Sequence, residues 1–418
     1  MPSFKRAHVS TLLTRLREPP RRLTVVEGPR QTGKTTIVRQ ALRECPLPHR
    51  YLAVDDPESD LSASWRRAGP AMQAAIGPGG KRWLVEEWSI ARRQADRSED
   101  GLVFVLDEIQ AISDWSRVVK GLWDADRRHG RRMHVVLLGS APLPIQSGLN
   151  ESLAGRFETI PVKQWSFSEV REAFGLSLDQ FLFFGGYPAA ATLVGTPERW
   201  RDFVLRAIVQ ASIERDVVSL TAVQKPALLQ RLFREGAKFS GQILSYRKLV
   251  GFLAERGSVV TAQKYLDLLQ QAGLLAGLPA FSKSGKLDRR SSPKFIALDP
   301  AFITADSGYS FQEARSDRTF WGRIVESAVG SHVLNSASSR LRVSYWRKED
   351  SGEVDFVLQR GPRTIAIEVK SGRRRRSLPG IGAFRKSYPG TGHLVVGPGG
   401  TSLDEFLGHP ASHWFETQ

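Results

Sequence analysis

Over the first 165 residues the chain alternates between two patterns. Short apolar runs, RLTVVEG, YLAVDDPE, LVFVLDE and HVVLLGS, are separated by stretches of helical periodicity such as IVRQALRE. Strands covered on both faces read as continuous apolar runs, and such runs alternating with helices predict a mostly parallel α/β sheet over about residues 20–165. A short amphipathic segment, FKRAHVSTLLTRLRE, precedes it and is stopped by Pro19–Pro20. From about residue 166 the pattern turns helical. WSFSEVREAF and PERWRDFVLRAIVQASIERDVVSL repeat at helical spacing on either side of a turn-rich patch, FLFFGGYPAA. Three helix-sized segments follow in a row, KPALLQRLFREGAKFSG, SYRKLVGFLAERG and SVVTAQKYLDLLQQAG, and then LLAGLPAFSKSGKLDRRSSPKFIAL, which reads as a β-hairpin. Three helices and a hairpin make the winged-helix pattern. The last section, about 291–405, mixes one helix, FWGRIVESAVGSHVLNSA, with the strands VSYWRK, EVDFVLQR, TIAIEVK and HLVVG. No internal repeat is visible, and the one low-complexity stretch is Arg373–Arg376.

Composition narrows the class. Of 418 residues, 41% are hydrophobic and 25% charged, a globular balance that excludes wholesale disorder. A single cysteine, Cys45, excludes a disulfide framework and a cysteine zinc site within one chain, as expected of a protein of the reducing cytoplasm. No apolar run approaches the roughly 18–20 residues of a membrane helix, so no membrane partner is expected. The amino-terminal segment lacks the apolar core of a signal peptide. Charge adds a direction: 60 Lys and Arg against 43 Asp and Glu leave +17, spread along the chain. Such a balance attracts polyanions, of which nucleic acid is the usual one.

The sharpest chemistry lies in Gly28-Pro-Arg-Gln-Thr-Gly33-Lys34-Thr35, which fits the phosphate-binding pattern G-x-x-x-x-G-K-[ST] and sits between a strand and a helix. The glycines let the backbone curl its N–H groups around phosphate, and the helix N-terminus adds its dipole. In this reading Lys34 neutralises β/γ-phosphate oxygens and the Thr35 hydroxyl ligates Mg²⁺. Val103-Phe-Val-Leu-Asp107-Glu108 supplies the partner: two acids at the carboxyl end of a buried strand, where ligands sit in such sheets. Asp107 would hold Mg²⁺ through water, and Glu108 would act as general base on the attacking water. Ser140, closing HVVLLGS, is a candidate sensor of the γ-phosphate. Arg156, in LAGRFE, is a candidate to reach a neighbouring subunit's γ-phosphate, and Arg215, in IERD, is a weaker one.

A second set of acids lies near the other end. Glu368 and Lys370 in IAIEVKSG share one face of a strand, since side chains repeat every two residues. Asp355 lies on the strand before, and Glu326 on the preceding helix. Such carboxylates can converge on Mg²⁺ for phosphodiester hydrolysis, with Lys370 positioning the water; the plainer reading is cross-strand charge pairing. Arg373, Arg374, Arg375 and Arg376 follow at once, and Lys283, Lys286, Arg289 and Arg290 cluster in the hairpin; both groups read as DNA backbone contacts.

The stretches VVEGPRQTGKTT, FVLDEIQ, LLGSA, LAGRFE, WSFSE, FFGGYP and IERDVVSL, with SYRKLVGFL, KFIALDP, WGRIVESAV, YWRKEDSGEVDFVL and IAIEVKSG further on, resemble a large prokaryotic family of AAA+ ATPases. In that family a C-terminal region of long-unassigned function follows the ATPase core. The resemblance runs from about residue 20 to 395. It implies an AAA+ P-loop core, a winged helix and a fold similar to the PD-(D/E)xK restriction endonucleases; with the patterning this gives an α/β fold in five parts: a lead helix (1–20), an AAA+ core with a parallel sheet (21–165), a helical lid or connector (166–225), a winged helix (226–290) and a small α/β endonuclease-like domain (291–418). Gly28, Gly33, Lys34, Thr35, Thr36, Asp107 and Glu108 then stand at nucleotide positions. Glu326, Asp355, Glu368 and Lys370 stand at nuclease positions, with Val354 where the superfamily's proline would be. ATP and Mg²⁺ are the implied cofactors, DNA the partner, and a homo-oligomer, by default a hexameric ring, the assembly. Three functions follow: an ATP-driven DNA motor or remodeller acting on branched or junction DNA, with the endonuclease-like domain as a DNA-binding module; an ATP-gated, Mg²⁺-dependent endonuclease of repair or defence; or a nucleotide-dependent signalling switch acting on protein partners.

Overall fold

Five short strands carry the first part of the chain: β1 (Leu23–Glu27), β2 (His49–Ala53), β3 (Leu102–Asp107), β4 (Met133–Gly139) and β5 (Phe157–Pro161). They form one sheet in the order β2-β3-β4-β1-β5, every pair parallel. The computed structural model describes residues 4–54, 80–139, 149, 152–218, 223, 225–252, 258–281, 291–348, 352–372 and 378–417. By its contacts the chain divides into two units, residues 3–162 and 163–418.

In the first unit the central strands are buried on both faces, as their unbroken apolar runs require. Phe104 and Leu106 of β3 point to one side, with Trp88, Trp115 and Trp123 from the covering helices Lys81–Arg97 and Trp115–Arg128. Val103 and Val105 point to the other, with Ile37, Val38 and Leu42 of helix Lys34–Glu44. The lead helix, His8–Arg17, adds Val9, Leu12 and Leu16 to that second cluster. Strand β5 is not visible in the apolar pattern. It lies at a sheet edge, and within FETIP only Ile160 is buried, so patterning carries little signal there.

The second unit opens with helices Phe167–Phe174 and Leu178–Phe184, each closed at its start by a capping box, on Ser166 and Ser177. Helix Pro197–Asp202 continues through widened turns as far as Val218. Helices Pro226–Lys238, Tyr246–Phe252 and Val259–Gln271 lead into β6 (Leu275–Leu278) and β7 (Lys294–Ala297), which pair antiparallel with Leu278 opposite Lys294. Helix Arg318–Ser336 precedes a mixed sheet of β8 (Leu341–Lys348), β9 (Gly352–Arg360), β10 (Arg363–Val369) and β11 (Gly392–Val396). Its order is β11-β10-β9-β8, antiparallel except for β10 with β11. Helix Pro379–Ser387 covers one face through Ile381 and Phe384 against Trp346, Val354, Val357 and Ala366. No described helix is long and apolar enough to cross a membrane.

The FFGGYP turn has a packing cause. Buried Asp299 accepts the Gly186 N–H at 2.9 Å on one oxygen and the Ala301 N–H at 2.9 Å on the other. Gly185 has φ +75°, and a Cβ there would stand 2.0 Å from Asp299 Oδ1. Burial pushes the Asp299 carboxyl up to about 6, against the pull of those two N–H groups.

Candidate functional site

The carboxyl ends of β1 and β3 lie on either side of β4. From β1 the chain enters the loop Gly28–Gly33, and the helix starting at Lys34 takes Gly33, at φ +93°, as its N-cap. Gly28 has φ +154°, and a Cβ there would stand 1.9 Å from the Val162 carbonyl oxygen, so only glycine lets the loop leave the strand at this point. Lys34 is buried and folds back over the loop, its ammonium donating to the carbonyls of Gly28 at 2.9 Å and Pro29 at 2.7 Å. The buried Arg6 guanidinium, just ahead of the lead helix, donates to the Thr32 carbonyl at 3.1 Å and braces the loop from outside.

Thr35 opens the helix and meets the acid at the end of β3: its hydroxyl donates to Asp107 Oδ2 at 2.9 Å. The same oxygen accepts from the Tyr51 hydroxyl on β2. Burial, then the Asp107 charge, push the Tyr51 phenol above its usual range, so it stays a donor; the Arg39 guanidinium lies 5.1 Å from its ring centre. Asp107 Oδ1 accepts the Glu108 N–H at 3.0 Å. Glu108 itself sits at φ +54°, a left-handed backbone uncommon outside glycine and met at functional turns. Its carboxylate is held by the Gln110 side-chain amide. Lys34, Thr35, Asp107 and Glu108 thus stand on neighbouring elements at one end of one sheet.

Residues 20–171 match the AAA domain family. That stretch is an AAA-type ATPase domain. Beyond it, residues 175–313 and 321–406 match two domains of unknown function, DUF8612 and DUF4143. Uncharacterized proteins of Mycobacterium bovis and Mycobacterium tuberculosis are each 27% identical to this chain over 368 residues, 87% of this chain and 73% of theirs. An uncharacterized protein of Haemophilus influenzae is 23% identical over 284 residues, 65% of this chain and 66% of its own length. Among solved structures, a Walker-type ATPase of Pyrococcus abyssi has a TM-score of 0.49 at 15% identity, over 72% of this chain and 95% of that one. The Aeropyrum pernix ORC1 protein in complex with DNA scores 0.31 at 13% identity, over 71% and 89%. The Thermotoga maritima RuvB Holliday junction branch migration motor scores 0.32 at 15% identity, over 65% and 89%.

Other sequence candidates are placed as follows. Arg156 of the AAA domain lies in the turn before β5, its guanidinium forked onto Asp124 of the same chain at 2.8 and 3.0 Å. Arg215 lies in the widened turns 212–218 of the second unit. Ser140, Lys283, Lys286, Arg289, Arg290 and Arg373–Arg376 lie outside the described residues.

The second set of acids does converge, around a residue that patterning passed over. Glu326 lies one turn before Gly330, on the face that helix Arg318–Ser336 presses onto β7 and β9. A Cβ at Gly330 would stand 2.8 Å from Ile296 and 2.9 Å from Phe356. On β9, Asp355 and Phe356 together stand opposite the single residue Tyr345 of β8, since Ser344 pairs with Val357 and Trp346 with Val354. This bulge lets two successive side chains meet Lys294. The Lys294 ammonium is fully buried, 2.6 Å from Glu326 Oε1, 3.1 Å from Glu353 Oε1 and 3.3 Å from Asp355 Oδ1. Asp355 Oδ2 accepts the Val369 N–H at 2.8 Å, which ties it to β10. Glu368 and Lys370, two apart on one face of β10, pair with each other.

The cluster has more acids than cations, and its protons follow from that. Burial alone would lower the Lys294 pKa, but Asp355, Glu326 and Glu353 outweigh it and hold the ammonium charged. Burial and then the Asp355 charge push Glu326 up, against the pull of Lys294. Glu368 is raised by the same two causes, against its pair with Lys370.

Proposed function

We propose that the chain is a cytoplasmic ATPase that binds DNA and uses ATP hydrolysis to move or remodel it, as a homo-oligomeric and by default hexameric ring. The observation that carries the reading is the contact of the Thr35 hydroxyl with the Asp107 carboxylate at 2.9 Å. It brings the loop's hydroxyl and the strand's acid to one spot, with Lys34 and Glu108 alongside. Hydroxyl and carboxylate oxygens are the hard donors that Mg²⁺ takes, and the loop ends at the N-terminus of helix Lys34–Glu44, where N–H groups and the helix dipole suit phosphate, so the residues fit Mg²⁺–ATP. Thr35 and Asp107 would hold the ion, which when bound neutralises phosphate charge. Gly33 and the first turn, with Thr36, offer N–H groups to the phosphates, and Lys34 exchanges the loop carbonyls for phosphate oxygens. Glu108 orients a water toward the γ-phosphate and accepts its proton, and Gln110 holds that carboxylate between turnovers. Ser140 would sense the γ-phosphate. Arg156 would serve a neighbouring subunit once freed from Asp124.

The net charge of +17 and the basic groups Lys283, Lys286, Arg289, Arg290 and Arg373–Arg376 support DNA as the polyanion. The three helices and the β6–β7 pair then act as a winged helix, and the mixed sheet as an endonuclease-like module that grips DNA. Two variants test the nucleotide reading by ATP binding and phosphate release. Lys34→Ala is expected to lose ATP binding. Glu108→Gln is expected to bind ATP with hydrolysis reduced about 100-fold or more, in the range of losing a general base. A Glu108→Gln protein turning over at the wild-type rate contradicts the assignment.

A further inference from the structure

Lys294 is the centre about which the carboxylate pocket of the second unit is built. Its buried ammonium presents three N–H donors and no lone pair. Three acid oxygens surround it, from Glu326 on the helix and from Glu353 and Asp355 on β9, at 2.6, 3.1 and 3.3 Å. The Phe356 ring closes a further side, its centre 5.2 Å from Nζ. A divalent ion here would need six or more oxygen ligands at about 2.0–2.6 Å. It would draw on the same oxygens that the ammonium occupies, and two cations so close repel strongly where water is excluded. The next acid, Glu368, gives its Oε1 to Lys370 and has Oε2 buried without a hydrogen-bond partner, a single oxygen that falls well short of a divalent ion's ligand set. Among the described residues no group of three or more His, Cys, Asp or Glu side chains is arranged to hold a metal ion.

We infer that Lys294 is the resident cation of this pocket, standing where a divalent metal would sit in an endonuclease-type carboxylate set, and that the pocket locks strands together instead of cleaving phosphodiesters. What it locks is specific. Lys294 begins β7, whose partner strand β6 runs on to meet β8: the Phe281 N–H donates to the Tyr345 carbonyl at 2.6 Å and the Tyr345 N–H to the Pro279 carbonyl at 3.1 Å. The hairpin is therefore fastened to the mixed sheet by backbone bonds at one point and by buried charge at another. A module made this way can grip a nucleic-acid strand and leave it whole. The inference is independent of the nucleotide reading, and ATP does not enter its test.

The test is Mn²⁺ binding to the full chain without nucleotide, read by electron paramagnetic resonance of the free ion, in wild type, Asp355→Asn and Lys294→Met. Wild type and Asp355→Asn are expected to bind the same number of ions per chain, and folded Lys294→Met one more. Plasmid incubated with wild type and Mn²⁺ is expected to stay supercoiled. A wild type that binds one ion more than Asp355→Asn, or nicks plasmid in a way that Asp355→Asn does not, overturns the inference; so does a folded Lys294→Met that gains no ion. If Lys294→Met does not fold, the comparison of wild type with Asp355→Asn decides alone.

Discussion

Tyr51 and Lys294 show what a single side chain can do that its neighbours in sequence do not announce. The nucleotide loop and its acids are legible in the sequence because their chemistry sets their spacing: glycines where backbone must approach phosphate, lysine and threonine at the helix start, two acids at a strand end. Tyr51 has no such spacing. It reaches Asp107 only because β2 lies beside β3 in the sheet, with Ala53 in register with Asp107. Its hydroxyl fixes the carboxylate that would hold Mg²⁺, and partners of that kind commonly change metal affinity by about 10–100-fold when removed. Tyr51→Phe is expected to raise the Mg²⁺ concentration for half-maximal ATP hydrolysis by about 10-fold, with the folded fraction unchanged, as a magnesium titration of the ATPase rate would read. Lys294 was hidden for a different reason. In KFIAL it reads as a polar residue flanking a strand, and only the fold brings acids from residues 326, 353 and 355 to it.

Strands were legible where apolar residues run together and obscure where few of their residues are buried. Strands β1, β3 and β4 announce themselves as apolar runs, whereas β5 does not, although it seats the loop. The Val162 carbonyl just beyond it lies where a Gly28 Cβ would be, and the Val162 N–H donates to the Glu27 carbonyl at 2.7 Å. Gly28→Ala must therefore push β1 and the end of β5 apart or distort the loop. Strained backbone alone costs about 1–3 kcal/mol. The expected outcome is a Tm several degrees lower together with weakened ATP binding, measured by thermal unfolding with and without nucleotide. The β9 bulge was invisible to alternation, which assumes one residue opposite one. It turns both Asp355 and Phe356 toward Lys294.

Helix Arg318–Ser336 carries a pH effect at the same scale. His332 is buried, donates through Nε2 to the His409 carbonyl at 2.7 Å, and stacks edge-on against Phe406. Burial pushes its pKa down to about 4, a shift only partly offset by that carbonyl. The folded state holds the neutral ring while the unfolded chain takes up a proton below about 6.5. The contribution to stability is therefore complete above pH 6.5 and is lost as pH falls toward 4, reaching about 3 kcal/mol. His332→Gln, unfolded in urea at pH 7 and pH 5, is expected to lose less stability on acidification than wild type.

Over the whole molecule, the order of strands and helices, β5 aside, was largely readable because it follows the alternation of apolar runs, and the excess of basic residues was readable by counting. The joining of the hairpin to the mixed sheet was not, because it depends on which surfaces meet. The proposed coupling places nucleotide chemistry in the first unit and a polyanion on basic segments of the second. DNA contacts made by Lys and Arg release counterions, so affinity falls steeply with salt, by roughly 10³–10⁵ between 50 and 200 mM for six to ten phosphate contacts. The most direct measurement is the steady-state rate of ATP hydrolysis by wild type and Glu108→Gln as duplex or four-way DNA is added, at low and at high salt. The account predicts hydrolysis by wild type that DNA accelerates at low salt, an acceleration that disappears at high salt, and turnover in Glu108→Gln reduced about 100-fold or more. A wild-type protein that releases no phosphate, with or without DNA, would contradict it.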